Sequence, residues 1–232
     1  MNAAPEDTGT LTVTATEETV RELHAGGFRL YGFRAVKTAI RSALPTIWFQ
    51  RAAIGTSNEI RWQDSYRAFS SNTPVSPGNL VRPLASLPIA PGQIFTIEQG
   101  GIGRIQGPPV PGAPFQIEST ATQTYTAGVS QSVENQAGPL CALPQHGHIV
   151  NMLTPADKIL LTFTPMLLEP GTMVDAIPAP AALIVLPQEG QRTVSFDINT
   201  GWGPTSASWL RPVPPRTPLP PLLIELPRSD QP

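Results

Sequence analysis

A chain of 232 residues with a formal net charge of −2 is long enough for one sizeable core, burying about 70–75% of the surface its unfolded form exposes. Charged residues make up only 14%, against about 25% in an average domain, and Pro reaches 28. This is the composition of short strands joined by Pro-rich turns, not of a helical bundle. Lys occurs only at 37 and 158, and Arg is scattered from Arg21 to Arg228. No clustered cationic surface is available to displace counterions, which argues against nucleic acid as a partner. The one cysteine, Cys141, rules out an internal disulfide. No apolar run reaches the length of a transmembrane helix, and Met1–Asp7 lacks the basic and apolar segments of a signal peptide. The expected location is therefore cytoplasmic, or outside the cell by leaderless release.

Residues 1–7 read as a flexible arm, and 8–232 as a single β domain. From Thr8 the residues alternate strictly, with Thr8, Thr10, Thr12, Thr14 and Thr16 on one face and Leu11, Val13 and Ala15 on the other, the mark of a half-buried strand. Thr16 is a fitting N-cap for a short helix that Glu17 and Glu18 open and Gly26-Gly27 stop, the one helix expected. Strands are expected over 28–37 and 45–53, and one long strand or two short ones over 58–69, with Ile60, Trp62, Tyr66 and Ala68 in phase. Gly32 marks a bulge or a close approach within the first of them. The Pro-rich stretch 70–91 reads as an ordered loop. Shorter strands follow at 93–98 and 102–106, then a long one over 115–131 with a second Thr row at 120–126. Residues 138–152 are expected to be irregular.

Asp157 to Thr164 reads as a central strand. The apolar run Leu183–Leu186 and the alternating segment Thr193–Ile198, separated by Pro187–Gln191, have the spacing of a hairpin. Pro at 212, 215, 218 and 221 repeats at the period of polyproline II, so 211–221 is expected to form a stiff strap before a last strand at 222–226. These amount to about eleven candidate strands with turn signals between them. The expected fold is all-β, an antiparallel β-sandwich of jelly-roll-like character with one short N-terminal helix and long Pro-rich loops.

No nucleophile elbow, phosphate loop or metal motif stands out. His146-Gly147-His148 is the best metal candidate, two imidazoles on one face if the segment is a strand, with His24, Cys141, Asp157 and Asp175 as further ligands in sequence only. Cys141 lies in Pro-Leu-Cys-Ala-Leu-Pro surroundings, apolar enough to keep a thiol unreactive. The polar-aromatic group Arg61, Trp62, Asp64 and Tyr66 has the chemistry of a sugar site. Trp202, between two glycines in an expected loop, and Trp209 are candidate aromatic platforms. The Thr rows offer a flat hydroxyl face suited to an ordered surface. Together these point to a lectin-like binding protein that meets a glycan or cell-surface ligand through end loops, without a cofactor. Two other readings fit the composition: a self-assembling or membrane-active β-sandwich subunit that forms oligomers, and a cofactor-free enzyme with a pocket in the β domain.

Overall fold

The computed structural model describes residues 8–134, 136–187 and 191–227; the expected arm at 1–7 lies outside them. In chain order, β1 (Thr8–Thr14), α1 (Glu17–Ala25) and β2 (Arg29–Thr38) precede the short β3 (Leu44–Pro45) and β4 (Phe49–Arg51) and the long β5 (Ser57–Ser71). β6 (Pro83–Ile89), β7 (Ile94–Ile97), β8 (Gly103–Gln106) and β9 (Phe115–Ser119) follow, then β10 (Tyr125–Val133), β11 (Gln136–Pro139) and β12 (Cys141–Gln145). The remainder holds β13 (Asn151–Thr164), β14 (Ala181–Val185), β15 (Arg192–Asp197), β16 (Gly201–Gly203), β17 (Leu210–Val213), the single helical turn α2 (Pro220–Leu223) and β18 (Ile224–Glu225).

Two sheets form the all-β sandwich. The first runs β16-β15-β1-β5-β10-β12-β3, with β11 on β10 and β6 on β5. The second runs β17-β14-β13-β9-β7-β8, with β2 on β13, and β4 and β18 on β2. Leu11, Val13 and Ile60 from the first sheet meet Leu30, Ile159, Leu161 and Ile184 from the second in one buried cluster. The sheets are mostly antiparallel, as expected, with parallel pairing only between β1 and β15, β7 and β9, and β18 and β2 among the described residues.

Residues of β2 alternate between two cores. Leu30 and Val36 face the other sheet, while Tyr31, Phe33 and Ala35 face a second cluster with Ile47, Val174, Ile177, Leu219 and Leu223. The Pro-rich 170s segment and α2 therefore act as a third layer. A strand covered on both sides carries large apolar side chains on both faces, as β2 does.

Helix α1 forms as its signals require: Thr16 accepts the Thr19 N–H at 3.1 Å, and the chain leaves at Gly26. Several other expectations are corrected. The 181–198 stretch is not a hairpin. β14 joins β13 and β17 in the second sheet, and β15 joins β1 and β16 in the first. The change from a continuous apolar run to alternation marks the passage from one sheet to the other. The expected strand 115–131 is likewise cut in two, β9 in the second sheet and β10 in the first. Thr120, Thr122 and Thr124 fall in the crossing between them, so the second Thr row does not exist. The loop 70–91 contains β6, whose Pro83 and Pro88 are tolerated because the strand pairs on one side only, with β5. The polyproline strap is broken as well. Leu210–Val213 pairs with β14, and Pro220 and Pro221 open α2 at positions where a helix has no need of an N–H donor. The last strand shrinks to Ile224–Glu225. The irregular 138–152 stretch holds β11 and β12 and the start of β13.

Candidate binding site

Each sheet carries a bulge, and the two are brought together by Arg34. Between β5 and β10, Tyr66 pairs with Gln131 and Trp62 with Val133, so Gln63, Asp64 and Ser65 stand opposite Ser132 alone. Between β13 and β2, Pro155 pairs with Val36 and Ile159 with Arg34, so Ala156, Asp157 and Lys158 stand opposite Ala35 alone. Bulges of this kind re-aim side chains and interrupt the ladder.

Arg34 is only 5% exposed. Its guanidinium lies 5.4 Å from the Trp62 ring centre and 5.8 Å from that of Trp48. Nε donates to the Ala156 carbonyl at 3.4 Å, and Nη2 stands 4.0 Å from Asp157 Oδ1. Nη1 is buried with no partner. Burial holds the Arg34 pKa below the ordinary arginine value, and the negative ends of Tyr66, Asp64 and Asp157 oppose that shift. On the first sheet, Tyr66 donates its hydroxyl to Asp64 Oδ1 at 2.9 Å. Gln131 Nε2 reaches the same carboxylate at 3.1 Å and the Tyr66 oxygen at 3.2 Å. The Tyr66 phenol is pushed well above its usual range, first by burial and then by Asp64. Gln131 Oε1 is a second buried atom without a partner.

Trp48 belongs both to this cluster and to a cleft beside it. It meets Trp62 edge-on at 5.8 Å and Phe49 at 5.6 Å, and its Nε1 donates to the Gln131 carbonyl at 3.3 Å. Two glycines leave room for Trp48 and its neighbour Phe49. A Cβ on Gly32 would fall 2.0 Å from Phe49 Cε1, and one on Gly138 would fall 1.9 Å from the Trp48 carbonyl oxygen. The expected close approach at Gly32 is thus present, to an aromatic ring rather than to a bulge.

The cleft has a volume of about 270 Å³ and lies between β4 and the β10–β11 turn. Trp48 and Phe49, 1% and 4% exposed, form its apolar end with Ala52, Ala53, Val133 and Pro170; Arg51, Glu134 and Gln136 supply its polar wall. Arg51 Nη2 pairs with Glu134 Oε2 at 2.6 Å and donates to the Glu59 carbonyl at 2.7 Å. The Arg61 N–H donates to Glu134 Oε1 at 3.1 Å. Glu134 has φ +50, a left-handed conformation that costs a residue with a Cβ about 1–2 kcal/mol. That conformation places its carboxylate between Arg51 and the Arg61 backbone.

The sequence candidates therefore separate. Trp62, Asp64 and Tyr66 do come together, joined by Arg34 and Gln131. Arg61 is exposed, turns its side chain to Glu59, and reaches the cleft only through its backbone. Trp202 is not in a loop and offers no open ring. It lies in β16, buried, stacked on Phe163 at 5.4 Å and tilted against Phe196 at 4.9 Å. Its flanking glycines have backbone reasons: Gly201 has φ +84, and a Cβ on Gly203 would meet Ser195 Oγ at 2.9 Å. Trp209 is half-buried under the Arg192 guanidinium, 4.6 Å from its ring centre.

His146 and His148 are in a turn, not on one strand face, and His148 has φ +60. Among the described residues no three His, Cys, Asp or Glu side chains group as metal ligands. His24 is instead 2.9 Å from the Ile54 carbonyl. Cys141 is buried in β12, and burial pushes its thiol up to about 12.

Arg34, Trp48, Arg51, Gln131 and Glu134 are the site residues that sequence reasoning missed. Arg34 carried a usable signal, a charge set in an apolar strand between Phe33 and Ala35. Among the described residues no helix is long and apolar enough to cross a membrane. Comparison of the chain with known protein families, with curated proteins and with solved structures finds no match in any of the three.

Proposed function

We propose that this protein is a non-enzymatic binding protein that takes a neutral glycan in the cleft at Trp48. The observation that carries this reading is the cleft itself: an apolar end, lined by Ala52, Ala53, Val133 and Pro170 with the nearly fully buried Trp48 and Phe49, facing the Arg51–Glu134 pair and the Gln136 amide. A sugar offers an apolar C–H face and a ring of hydroxyls that donate and accept. The apolar lining suits the first, and the guanidinium, carboxylate and amide suit the second. Because the two charges neutralise each other, the wall favours an uncharged ligand over an acidic one. The backbone cost at Glu134 supports the same reading, since strain held at a cleft rim is where function is first sought.

Binding to a neutral glycan array, followed by titration calorimetry of the strongest hit, tests the proposal. Arg51→Gln and Glu134→Gln should each weaken that binding by about tenfold or more, as expected for hydrogen bonds to charged groups. Their cost to stability should stay below about 1 kcal/mol, because the pair is partly exposed. An array with no neutral hit removes the proposal.

Association between copies of the chain is a second reading with an observation of its own. Ile149, Val150 and Met152 stand close together in the chain and are each about half exposed, and clustered exposed apolar side chains mark interaction surfaces. Sedimentation at micromolar concentration decides it: a monomer throughout rejects the reading.

A further inference from the structure

A second concavity lies at the end of β12, away from the Trp48 cleft. It has two lobes that share Ser42 and Pro144. One lobe, about 330 Å³, is walled by Asn72, Thr73, Thr124 and Thr126. The other, about 290 Å³, is walled by Ile40, Arg41, His146 and Ile149. No Asp or Glu lines either lobe. Arg41 is exposed and has no ion-pair partner among the described residues. A cation with no neighbouring carboxylate, set against partly apolar walls, draws an anion into the groove.

The wall that carries His146 is held firmly. Gln145, fully buried, donates through Nε2 to the carbonyls of His146 and Ile149 at 3.1 and 2.6 Å and accepts from Asn151 Nδ2 at 2.7 Å. The His148 N–H donates to the Ser119 carbonyl at 2.8 Å. Gly147 fits against the Ala121 carbonyl oxygen so closely that a Cβ there would lie 2.3 Å from it. His146 Nδ1 is 3.0 Å from Thr124 Oγ1, which fixes the ring and leaves Nε2 as its open nitrogen. A concave, preformed wall with a few convergent polar groups is the form that small-ligand sites take.

We infer that this groove binds a hydroxylated carboxylate of the uronic-acid class, with the carboxylate on Arg41 and the hydroxyls on Ser42, Asn72 and Thr124. The guanidinium fork matches a carboxylate in two parallel hydrogen bonds. The hydroxyl and amide groups of the other lobe have no charge and both donate and accept, as sugar hydroxyls require. Pro144, shared by the lobes, offers an apolar surface to the ring. This inference does not rest on the cleft at Trp48.

Titration calorimetry of the full chain with galacturonate and with galactose tests it. Galacturonate should bind, its affinity should fall as salt is raised, and Arg41→Gln should weaken it by about tenfold or more. Galactose should not compete with it. Arg41 is a surface residue, so the variant should keep the wild-type melting temperature. Glu134→Gln, which acts on the other site, should leave galacturonate binding unchanged. Equal binding of the two sugars at this groove, unchanged galacturonate affinity in Arg41→Gln, or no galacturonate binding at all would each overturn the inference.

Discussion

Arg34→Ala should destabilise the protein by about 2–5 kcal/mol, whereas Arg34→Met should leave its stability unchanged or raise it. Truncation to alanine leaves a gap beside the touching Trp48 and Trp62 rings, and the surrounding sheets can close it only in part. At about 2–4 °C per kcal/mol for a chain of this size, a 3 kcal/mol loss lowers the melting temperature by roughly 6–12 °C. Methionine fills most of that gap without a charge. Two terms then compete. Desolvating a cation costs several kcal/mol. The cation–π contacts return about 0.5–2 kcal/mol each, and at 5.4 and 5.8 Å both are near the limit of that interaction. Asp157 stays 4.0 Å away and Nη1 has no partner, so the ion pair adds little. Desolvation therefore wins. Urea denaturation of both variants checks this, and a methionine variant as unstable as the alanine one would show that the guanidinium contacts outweigh the cost of burial.

Trp202→Ala should cost about 3–5 kcal/mol, the usual loss for truncating a buried aromatic. The ring packs against both Phe163 and Phe196, which also meet each other at 4.6 Å, so its loss opens a gap in a three-ring cluster. Trp202→Phe should cost much less. It keeps an aromatic surface and removes Nε1, which is buried without an acceptor. Calorimetric unfolding distinguishes the variants. Binding separates this residue from the cleft: a Trp202→Phe protein should retain glycan affinity. Comparable losses of stability in Trp202→Phe and Trp202→Ala would mean that the indole N–H or the larger ring has a role the packing does not reveal.

Local signals in the sequence were legible wherever the chemistry is local. Thr16, Glu17, Glu18 and Gly26 announced α1. Strict alternation announced β1, and the shared phase of Ile60, Trp62, Tyr66 and Ala68 announced strand over 58–69, with one long strand or two short ones left open. What could not be read was which sheet a strand enters. The apolar run Leu183–Leu186 and the alternating run Thr193–Ile198 look like hairpin partners because hairpins are the shortest solution. Yet β15 finds its neighbour in β1, far away in sequence, where it pairs in parallel. Pro83 and Pro88 hid β6 for a similar reason, since proline is compatible with a strand only if one edge is free, and that depends on the whole sheet.

The candidate site was legible in part for the same reason. Trp62, Asp64 and Tyr66 are close in sequence and stay close in space. Arg34 lies in β2, Trp48 just before β4, and Gln131 and Glu134 in β10 and the turn after it, so three stretches far apart in sequence have to be brought together by the fold. Trp202 misled because flanking glycines suggest a loop. Here they serve a positive φ and a close approach to Ser195, both around a buried ring. Arg34 is the residue whose pattern was most readable in retrospect. It falls in phase with Leu30, Gly32 and Val36 on the face of β2 that points into the sandwich, where an unpaired charge has a cost unless something nearby receives it.

The most direct test of the glycan cleft is a chemical-shift map of labelled protein titrated with the strongest neutral sugar from the array. The account predicts that the Trp48 indole N–H and the backbone amides of Arg51, Gln136 and Gly138 move together and saturate with one affinity. Shifts confined to the Trp209 loop or to the 146–149 turn, with the Trp48 indole unmoved, would contradict it.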